Sequence, residues 1–349
     1  MSSASSETLI ASEIRSQPQI WRATLEGFAR SSEALPFVPS YGRVLFTGCG
    51  STYYLSLWAA RHCQQMLGVQ ACAAPASELL LYRSAWLREG ERTLLIAVSR
   101  SGKTTETVRA VEAFRAGGYG DVLAITCYAE RALAQLADWV LSTPEAPEES
   151  IAQTRSFTSM MLAVAWLLDG SQPADVGAAL ATKGATLMET WGDTAAHLGG
   201  DLALQQFFFL GSGPQYGLAC EAMLKMKEIS LSYSEAYHFL EFRHGPMSMI
   251  DEHCLVVGLL GEEATDYELS VLRDMRQMGA HTLALAEANT RRMADVAETA
   301  IVLESGLPPH WRAPLYLPVP QWMAYHRALA KGLDPDHPRH LSPVIEIDE

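Results

Sequence analysis

The chain has 349 residues, 48% of them hydrophobic and 19% charged, which is typical of a folded globular protein and not of a disordered chain. Its 40 acidic residues outnumber 26 basic ones, and a formal net charge of −14 argues against nucleic acid as a partner, since Lys and Arg dominate such binding. No segment looks like a signal peptide or reaches the ~18 uninterrupted apolar residues of a membrane span. We therefore expect a cytoplasmic protein that does not contact a membrane. Its six scattered cysteines are expected to be reduced thiols and not metal ligands.

A helical leader, predicted around residues 11 to 33, precedes an internal repeat. The stretch VLFTGCGSTYYLSLWAARH from Val44 resembles FFFLGSGPQYGLACEAMLK from Phe207, at a shift of 163 positions that places Gly48 on Gly211. A second pair of similar stretches begins at Thr93 and Cys254. Each stretch contains an apolar run, a turn and an amphipathic helix, and the runs lack the polar alternation of half-exposed strands. The repeat predicts an α/β fold made of two tandem doubly wound, flavodoxin-like units with parallel sheets.

This repeat also predicts the domain boundaries. The leader is assigned to residues 1–35, the first unit to 36–185, the second unit to 195–333 and the tail to 334–349. The two units are expected to meet between residues 170 and 200. The tail is rich in proline, so no helix is expected beyond Gly332.

Two loops of the first unit follow predicted strands and are rich in hydroxyl groups. They are Gly48-Cys49-Gly50-Ser51-Thr52 and Ser99-Arg100-Ser101-Gly102-Lys103-Thr104. In open parallel sheets, ligands bind at the carboxyl ends of strands, where backbone N–H groups and helix dipoles favour an anion such as phosphate. The same residue types also form tight turns and helix N-caps, so either loop alone is equally consistent with a structural role.

The second unit lacks these hydroxyl loops and is expected to have lost the phosphate site. It carries Lys225 and Glu228 three residues apart, hence on one face of a predicted helix. A partly buried glutamate beside a lysine can have a shifted pKa and transfer protons, but the same spacing also occurs in ordinary solvated ion pairs. His244 precedes Gly245-Pro246, which would fix its imidazole at a rigid turn for either a catalytic or a structural role.

Taken in order, several motifs resemble the sugar isomerase (SIS) family, above all the isomerase part of glucosamine-6-phosphate synthase and the related amino-sugar-phosphate deaminases. The resemblance runs over nearly the whole chain, from the leader at Glu13. The motifs are GCGSTY, SRSGKTTET, ESIAQTRSFT, KMKEIS, EFRHGP, APLYLPVPQ and KGLDPDHPRHL. It implies that both units adopt the SIS fold.

The resemblance also implies roles for individual residues. The phosphate would be held by Thr52, Ser99, Ser101 and Thr104, with Ser51 and Arg100 lining the same pocket. Glu228 would move a proton between C1 and C2 of the sugar, with Lys225 assisting it, and His244 would open the sugar ring. In the synthase the residue equivalent to His244 reaches the neighbouring subunit, which implies a homodimer here. No cofactor or metal is implied.

Three departures from the synthase bear on the reaction. The chain starts Met1-Ser2-Ser3 directly before the leader, without a glutaminase domain, so glutamine is not expected to donate nitrogen. Pro343 stands where the synthase has a lysine that forms an imine with the ketose, a role that proline cannot take. Lys103 replaces a usual glutamate and Gln153 replaces a serine near the phosphate, which changes the surroundings of the substrate.

From these features we predict a cofactor-free enzyme that converts glucosamine 6-phosphate to fructose 6-phosphate and ammonia. One alternative is a plain aldose–ketose phosphosugar isomerase, or a deglycase acting on a sugar–amine adduct. An alternative of another class is a non-catalytic sugar-phosphate sensor, since SIS units also occur as ligand-binding modules.

Overall fold

The structure, a computed structural model, describes residues 7–31, 35–170, 174–288 and 292–342. The strands are β1 (Arg43–Gly48), β2 (Gln70–Pro75), β3 (Thr93–Val98), β4 (Gly120–Thr126), β5 (Trp139–Ser142), β6 (Gln206–Gly211), β7 (Tyr233–Tyr237), β8 (Cys254–Leu259), β9 (His281–Ala286) and β10 (Thr299–Val302). The helices are α1 (Leu9–Arg30), α2 (Ser51–Leu67), α3 (Ala76–Leu81), α4 (Arg83–Trp86), α5 (Thr105–Ala116), α6 (Ala132–Gln135), α7 (Arg155–Asp169), α8 (Ala174–Gly200), α9 (Gln215–Ser230), α10 (Phe239–Phe242), α11 (Thr265–Gln277), α12 (Met293–Val296), α13 (Pro309–Arg312) and α14 (Pro318–Ala330). Short 3₁₀ helices cover Val38–Ser40, Pro246–Met249 and Ala313–Tyr316.

Two five-stranded parallel sheets form the two halves of the molecule. Their orders are β2-β1-β3-β4-β5 and β10-β9-β8-β6-β7, which is one order repeated when the second sheet is read from its other edge. This is the flavodoxin-like arrangement of doubly wound folds, and it confirms the predicted fold class. The repeat also holds at the level of residues, because the bounds of β1 and β6 differ by 163 positions at both ends.

Complete burial of the central strands explains their unbroken apolar sequences. Every residue of β3 and of β8 is buried, since helices cover both faces of each sheet. The largest apolar cluster includes residues of both halves, among them Phe46, Phe157, Phe207 and Trp322. The two sheets therefore share one continuous core. Among the described residues, no helix is long and apolar enough to cross a membrane.

Two long helices, α1 and α8, pack against elements of both halves and cover this core. The leader forms α1, which packs on α7 and α8, and its Trp21 donates a 2.8 Å hydrogen bond to the hydroxyl of Thr158. Helix α8 occupies the region where the boundary between the units was predicted, and it packs along α1 and α14. A side chain on Gly184 of α8 would lie 2.5 Å from the Trp21 ring, so glycine is required for this close approach.

The tail returns to the start of the leader. Helix α14 ends at Ala330, and no helix follows Gly332 up to residue 342, as predicted. Asp336 accepts hydrogen bonds of 2.9 Å from the backbone N–H groups of Leu9 and Ile10, which are unpaired donors in the first turn of α1. The C-terminal tail thereby caps the N-terminal helix. Pro343 lies outside the described residues.

Replacing Asp336 by alanine should destabilise the protein through this cap. The change removes both acceptors and the favourable charge at the helix N-terminus, so we expect the free energy of unfolding to fall by about 1 kcal/mol. Urea denaturation measures the loss, with the exposed Glu89→Ala as the matched control. Equal stability of Asp336→Ala and the control would show that the tail does not hold the leader.

Candidate functional site

A close crossing of α2 and α9 brings the two halves together. A Cβ atom on Gly217 would lie 2.7 Å from the carbonyl oxygen of Tyr54 and 2.7 Å from the amide nitrogen of Trp58. Only glycine permits this approach. As a result, the first turn of α2, from the first half, faces the middle of α9, from the second half.

At this crossing the ammonium group of Lys225 is fully buried between three polar side chains. It lies 3.1 Å from the hydroxyl of Ser51 and 3.3 Å from the carboxylate of Glu221, and it is in direct contact with the carboxylate of Glu228. Ser51 in turn donates a 3.2 Å hydrogen bond to Glu221. Glu228 is the only one of the two carboxylates with exposed side-chain surface, at 21%. It is therefore the carboxylate that a ligand in solution can reach.

Burial determines the charge balance of this cluster. It raises the pKa of Glu221 to about 8, with Glu228 adding to the rise and the ammonium of Lys225 offsetting part of it. Burial by itself disfavours the charged lysine, but Glu221 and Glu228 outweigh it and hold the pKa of Lys225 above its usual value. The lysine and the two carboxyl groups are therefore coupled, since the charge of each depends on the protonation of the others. Near the reacting atoms, such a site can both attract negative charge and transfer protons.

The loop after β3 is compact and held from several sides. The Ser99 hydroxyl lies 3.3 Å from the Thr104 hydroxyl and accepts a 3.2 Å hydrogen bond from the N–H of Gly102, which has a positive φ of 62°. The Ser101 hydroxyl accepts a 3.2 Å hydrogen bond from the N–H of Lys103. The loop leads directly into α5. Three of the predicted phosphate ligands are therefore gathered in one turn at a helix N-terminus.

Thr52 lies in the other predicted loop, at the start of α2. Its hydroxyl donates a 2.9 Å hydrogen bond to the carbonyl of Cys49 and accepts one of 2.9 Å from the N–H of the same residue. A Cβ atom on Gly48 would lie 2.5 Å from this hydroxyl, so the turn requires glycine. Thr52 thus fixes the turn that presents Ser51 to Lys225.

The side chain of Arg100 points toward a second loop, the segment before α7. It donates 3.1 Å hydrogen bonds to the carbonyls of Ser150 and Ile151 and lies 3.4 Å from Glu148. Glu148 also accepts hydrogen bonds from the backbone N–H groups of Thr154 and Ser156. Arg100 therefore connects the loop after β3 to the loop after β5, and its role as a lining residue of the phosphate pocket stays a prediction.

His244 lies apart from this cluster, between α10 and the 3₁₀ helix of residues 246–249. It is exposed on the single chain, and the following Gly245 has a φ of 126° that glycine adopts readily. The structure thus brings together Ser51, Lys225 and Glu228, and leaves His244 on the surface. Its action in a neighbouring subunit stays a prediction.

Sequence reasoning missed Glu221. The residue lies four positions before Lys225, a spacing that places both on one helix face, and this signal was available in the sequence. Its burial against Ser51 is a contact between residues 170 positions apart, and no local pattern indicates it. Within the described ranges, no group of three or more His, Cys, Asp or Glu side chains could hold a metal ion.

The raised pKa of Glu221 predicts a pH-dependent effect of Glu221→Gln. In the folded state Glu221 keeps its proton up to about pH 8, whereas in the unfolded state it loses it near 4.5. The stability from this group is full below the lower value and is lost as pH rises through the higher one. We therefore expect wild type to lose more free energy of unfolding between pH 5 and pH 8 than Glu221→Gln. Urea denaturation across this range measures the difference, and stability curves that run parallel would contradict the assignment.

Comparison with known proteins identifies both halves. The SIS domain family matches residues 40–169 and 203–330, which together make up more than half of the chain. Glutamine–fructose-6-phosphate aminotransferase of Symbiobacterium thermophilum is 29% identical over 96% of this chain and 58% of its own length. The same enzyme of Idiomarina loihiensis is 30% identical over the same shares. The chain thus spans just over half the length of these curated relatives.

Solved structures with the same architecture match over nearly their full length. A glucosamine-6-phosphate deaminase of Thermotoga maritima has a TM-score of 0.80 at 26% identity, covering 97% of this chain and 99% of its own. A tagatose-6-phosphate ketose/aldose isomerase of Escherichia coli has a TM-score of 0.82 at 24% identity, covering 100% and 98%. The two sheets, the repeated strand order and the two matched segments lead to one conclusion: this chain belongs to the SIS domain family.

Proposed function

We propose that this protein is an amino-sugar-phosphate isomerase that releases ammonia, converting glucosamine 6-phosphate to fructose 6-phosphate. The observation that carries the proposal is the contact of Lys225 with both Glu228 and Ser51. It joins the predicted base to the hydroxyl-rich edge of the first sheet, where Ser99, Ser101 and Thr104 would hold the phosphate. The similarity to a deaminase at 26% identity over nearly the whole chain supports the same reaction.

The proposed chemistry needs one base, one acid and water. His244 moves a proton to open the pyranose ring, which yields the free aldehyde. Glu228 removes the proton at C2, and the resulting enolamine is protonated at C1 to give an imine at C2. Water then adds to the imine carbon, and ammonia leaves. The ammonium of Lys225 offsets the negative charge that develops on the C1 oxygen while the C2 proton is being removed.

The residue at position 343 in the tail bears on the direction of the reaction. In the synthase a lysine forms an imine with the ketose before nitrogen is transferred, and Pro343 stands at that position here. An aldose that already carries an amine needs no such lysine, because its own nitrogen becomes the imine once the C2 proton has moved. Release of ammonia is therefore the direction that these residues favour.

Glu228→Gln tests the chemistry. Glutamine retains the size and hydrogen bonding of glutamate but is not a base, so turnover of glucosamine 6-phosphate should fall by about 10²- to 10⁴-fold while ligand affinity is kept. The measurement follows ammonia release with and without added glutamine, together with proton–deuterium exchange at C2 in D₂O. Glu89→Gln, an exposed glutamate far from α9 in sequence, is the matched control.

The outcomes separate the proposal from its alternatives. Ammonia release that is independent of glutamine and lost in Glu228→Gln supports the deaminase. Exchange at C2 without ammonia would assign the protein to the plain isomerases. Absence of exchange with every hexose phosphate tested would favour a sensor, and near-normal turnover in Glu228→Gln would remove Glu228 as the base.

A homodimer is part of the proposal, because His244 is exposed on the single chain and is proposed to complete the site of the neighbouring subunit. Mixing two inactive variants tests this arrangement. A dimer of one Glu228→Gln subunit and one His244→Asn subunit has one complete site, so random mixing should restore about one quarter of wild-type activity. If His244 acts within its own chain, mixing restores no activity.

A further inference from the structure

A second cleft lies at the carboxyl ends of β6 and β8, in the second half of the molecule. It is open to solvent, has an internal volume of about 150 Å³, and is lined among others by His62, Ser212, Gln215, Glu262, Glu268 and Arg312. The loops after β6 and β8 lead into helices α9 and α11. In doubly wound sheets the crevice between two such neighbouring strands is where ligands bind.

The internal repeat relates this cleft to the candidate active site. At the shift of 163 positions, Lys225 corresponds to His62 and Glu228 corresponds to Gln65, and both His62 and Gln65 line the cleft. Each site thus combines loops of one half with a helix of the other half. Helix α9 contributes side chains to the first site, and helix α2 contributes side chains to the cleft. The second cleft is the pseudo-symmetric counterpart of the candidate active site.

Its lining disfavours a phosphate. The loop that follows β8 is Gly261-Glu262-Glu263-Ala264, in place of the serines and threonine of the first half. Among the lining residues that the structure describes, the one cation is Arg312, which is already paired with Glu262 at 2.8 Å and with Glu287 at 3.7 Å. The excess of carboxylates would repel an anion and attract a cation.

The buried carboxyl of Glu268 is the clearest indication of what this cleft can bind. The residue is only 1% exposed, and its Oε2 accepts a 2.8 Å hydrogen bond from the N–H of Gly261. Its Oε1 is buried and has no hydrogen-bond partner among the described residues. Burial raises the pKa of this carboxyl to about 7, although the nearby hydroxyl of Ser212 and the N–H of Gly261 work against the rise. Buried oxygens without a donor are uncommon and destabilising, so a donor from a ligand would satisfy this one.

The other groups of the cleft are neutral and suit hydroxyl groups. His62 is buried, and this burial, with His310 and Arg312 nearby, lowers its pKa to about 3, so the imidazole is uncharged at neutral pH. The Gln215 amide and the Ser212 hydroxyl line the same space. Such groups donate and accept hydrogen bonds without adding charge, as recognition of a polyol requires.

We propose that this cleft binds a small hydroxylated primary amine without a phosphate group, its ammonium donating to Glu268 and its hydroxyls contacting Gln215 and Ser212. The unphosphorylated amino sugars belong to this chemical class. The proposal does not depend on the reaction at the first site.

Isothermal titration calorimetry with glucosamine tests this proposal, with glucose and inorganic phosphate as comparison ligands. We expect saturable binding of glucosamine and at least tenfold weaker binding of glucose, which lacks the ammonium group. Glu268→Gln should weaken glucosamine by about tenfold or more, whereas Glu89→Gln should leave its affinity unchanged. Ser212→Val, which removes a hydroxyl proposed to contact the ligand, should also weaken binding and serves as the second variant if Glu268→Gln does not fold.

A double variant distinguishes glucosamine binding at the second cleft from binding at the first site. Ser99→Ala combined with Thr104→Val alters only the loop after β3, so it should retain glucosamine binding if the second cleft is the site. Three results would overturn the proposal. These are glucosamine affinity unchanged in folded Glu268→Gln and Ser212→Val, loss of binding in the double variant, and equal affinity for glucose.

Discussion

The close approach of α2 and α9 at Gly217 is the constraint on which the two-halved architecture depends. Gly217 and Tyr54 are counterparts in the repeat, 163 positions apart, and they touch each other at the crossing. A residue that contacts its own counterpart lies on the axis relating the two copies. Any side chain at Gly217 would separate the helices, and with them Ser51 from Lys225. The candidate site therefore depends on a position that carries no functional group.

Because Lys225 is buried at this crossing, its ammonium group depends on the few polar groups that surround it. A fully buried ammonium is tolerated only because Glu221, Glu228 and the Ser51 hydroxyl surround it. Removing one member of a buried ion pair typically costs about 3–5 kcal/mol, since the remaining charge stays desolvated. The same desolvation raises the pKa of Glu221, so the charge of this carboxyl group and the charge of Lys225 depend on each other. Stability and proton transfer thus rest on the same few atoms.

The fold could be predicted from the sequence because its signals are local and repeated. The apolar runs of β1 and β6 and the glycines that follow them occur twice at one spacing, and this repetition identified the doubly wound units. The site was predicted only in part. Lys225 and Glu228 are neighbours along one helix, whereas Glu221 against Ser51, Arg100 against Glu148 and Asp336 against Leu9 are contacts between distant segments. Tertiary packing alone creates such contacts, and a sequence pattern does not encode their partners.

The two halves have diverged at equivalent positions in opposite chemical directions. Where the first half has Cys49 beside Thr107, with sulfur and oxygen 3.5 Å apart, the second half has Ser212 and the buried Glu268. Where α9 contributes a charged lysine, α2 contributes a neutral His62. The first crevice carries hydroxyl groups and the buried ammonium of Lys225, whereas the described lining of the second carries carboxylates and an arginine, Arg312, that is paired with Glu262. A duplicated sheet offers the same crevice twice, and the charge at a few positions decides which ligand each copy can accept.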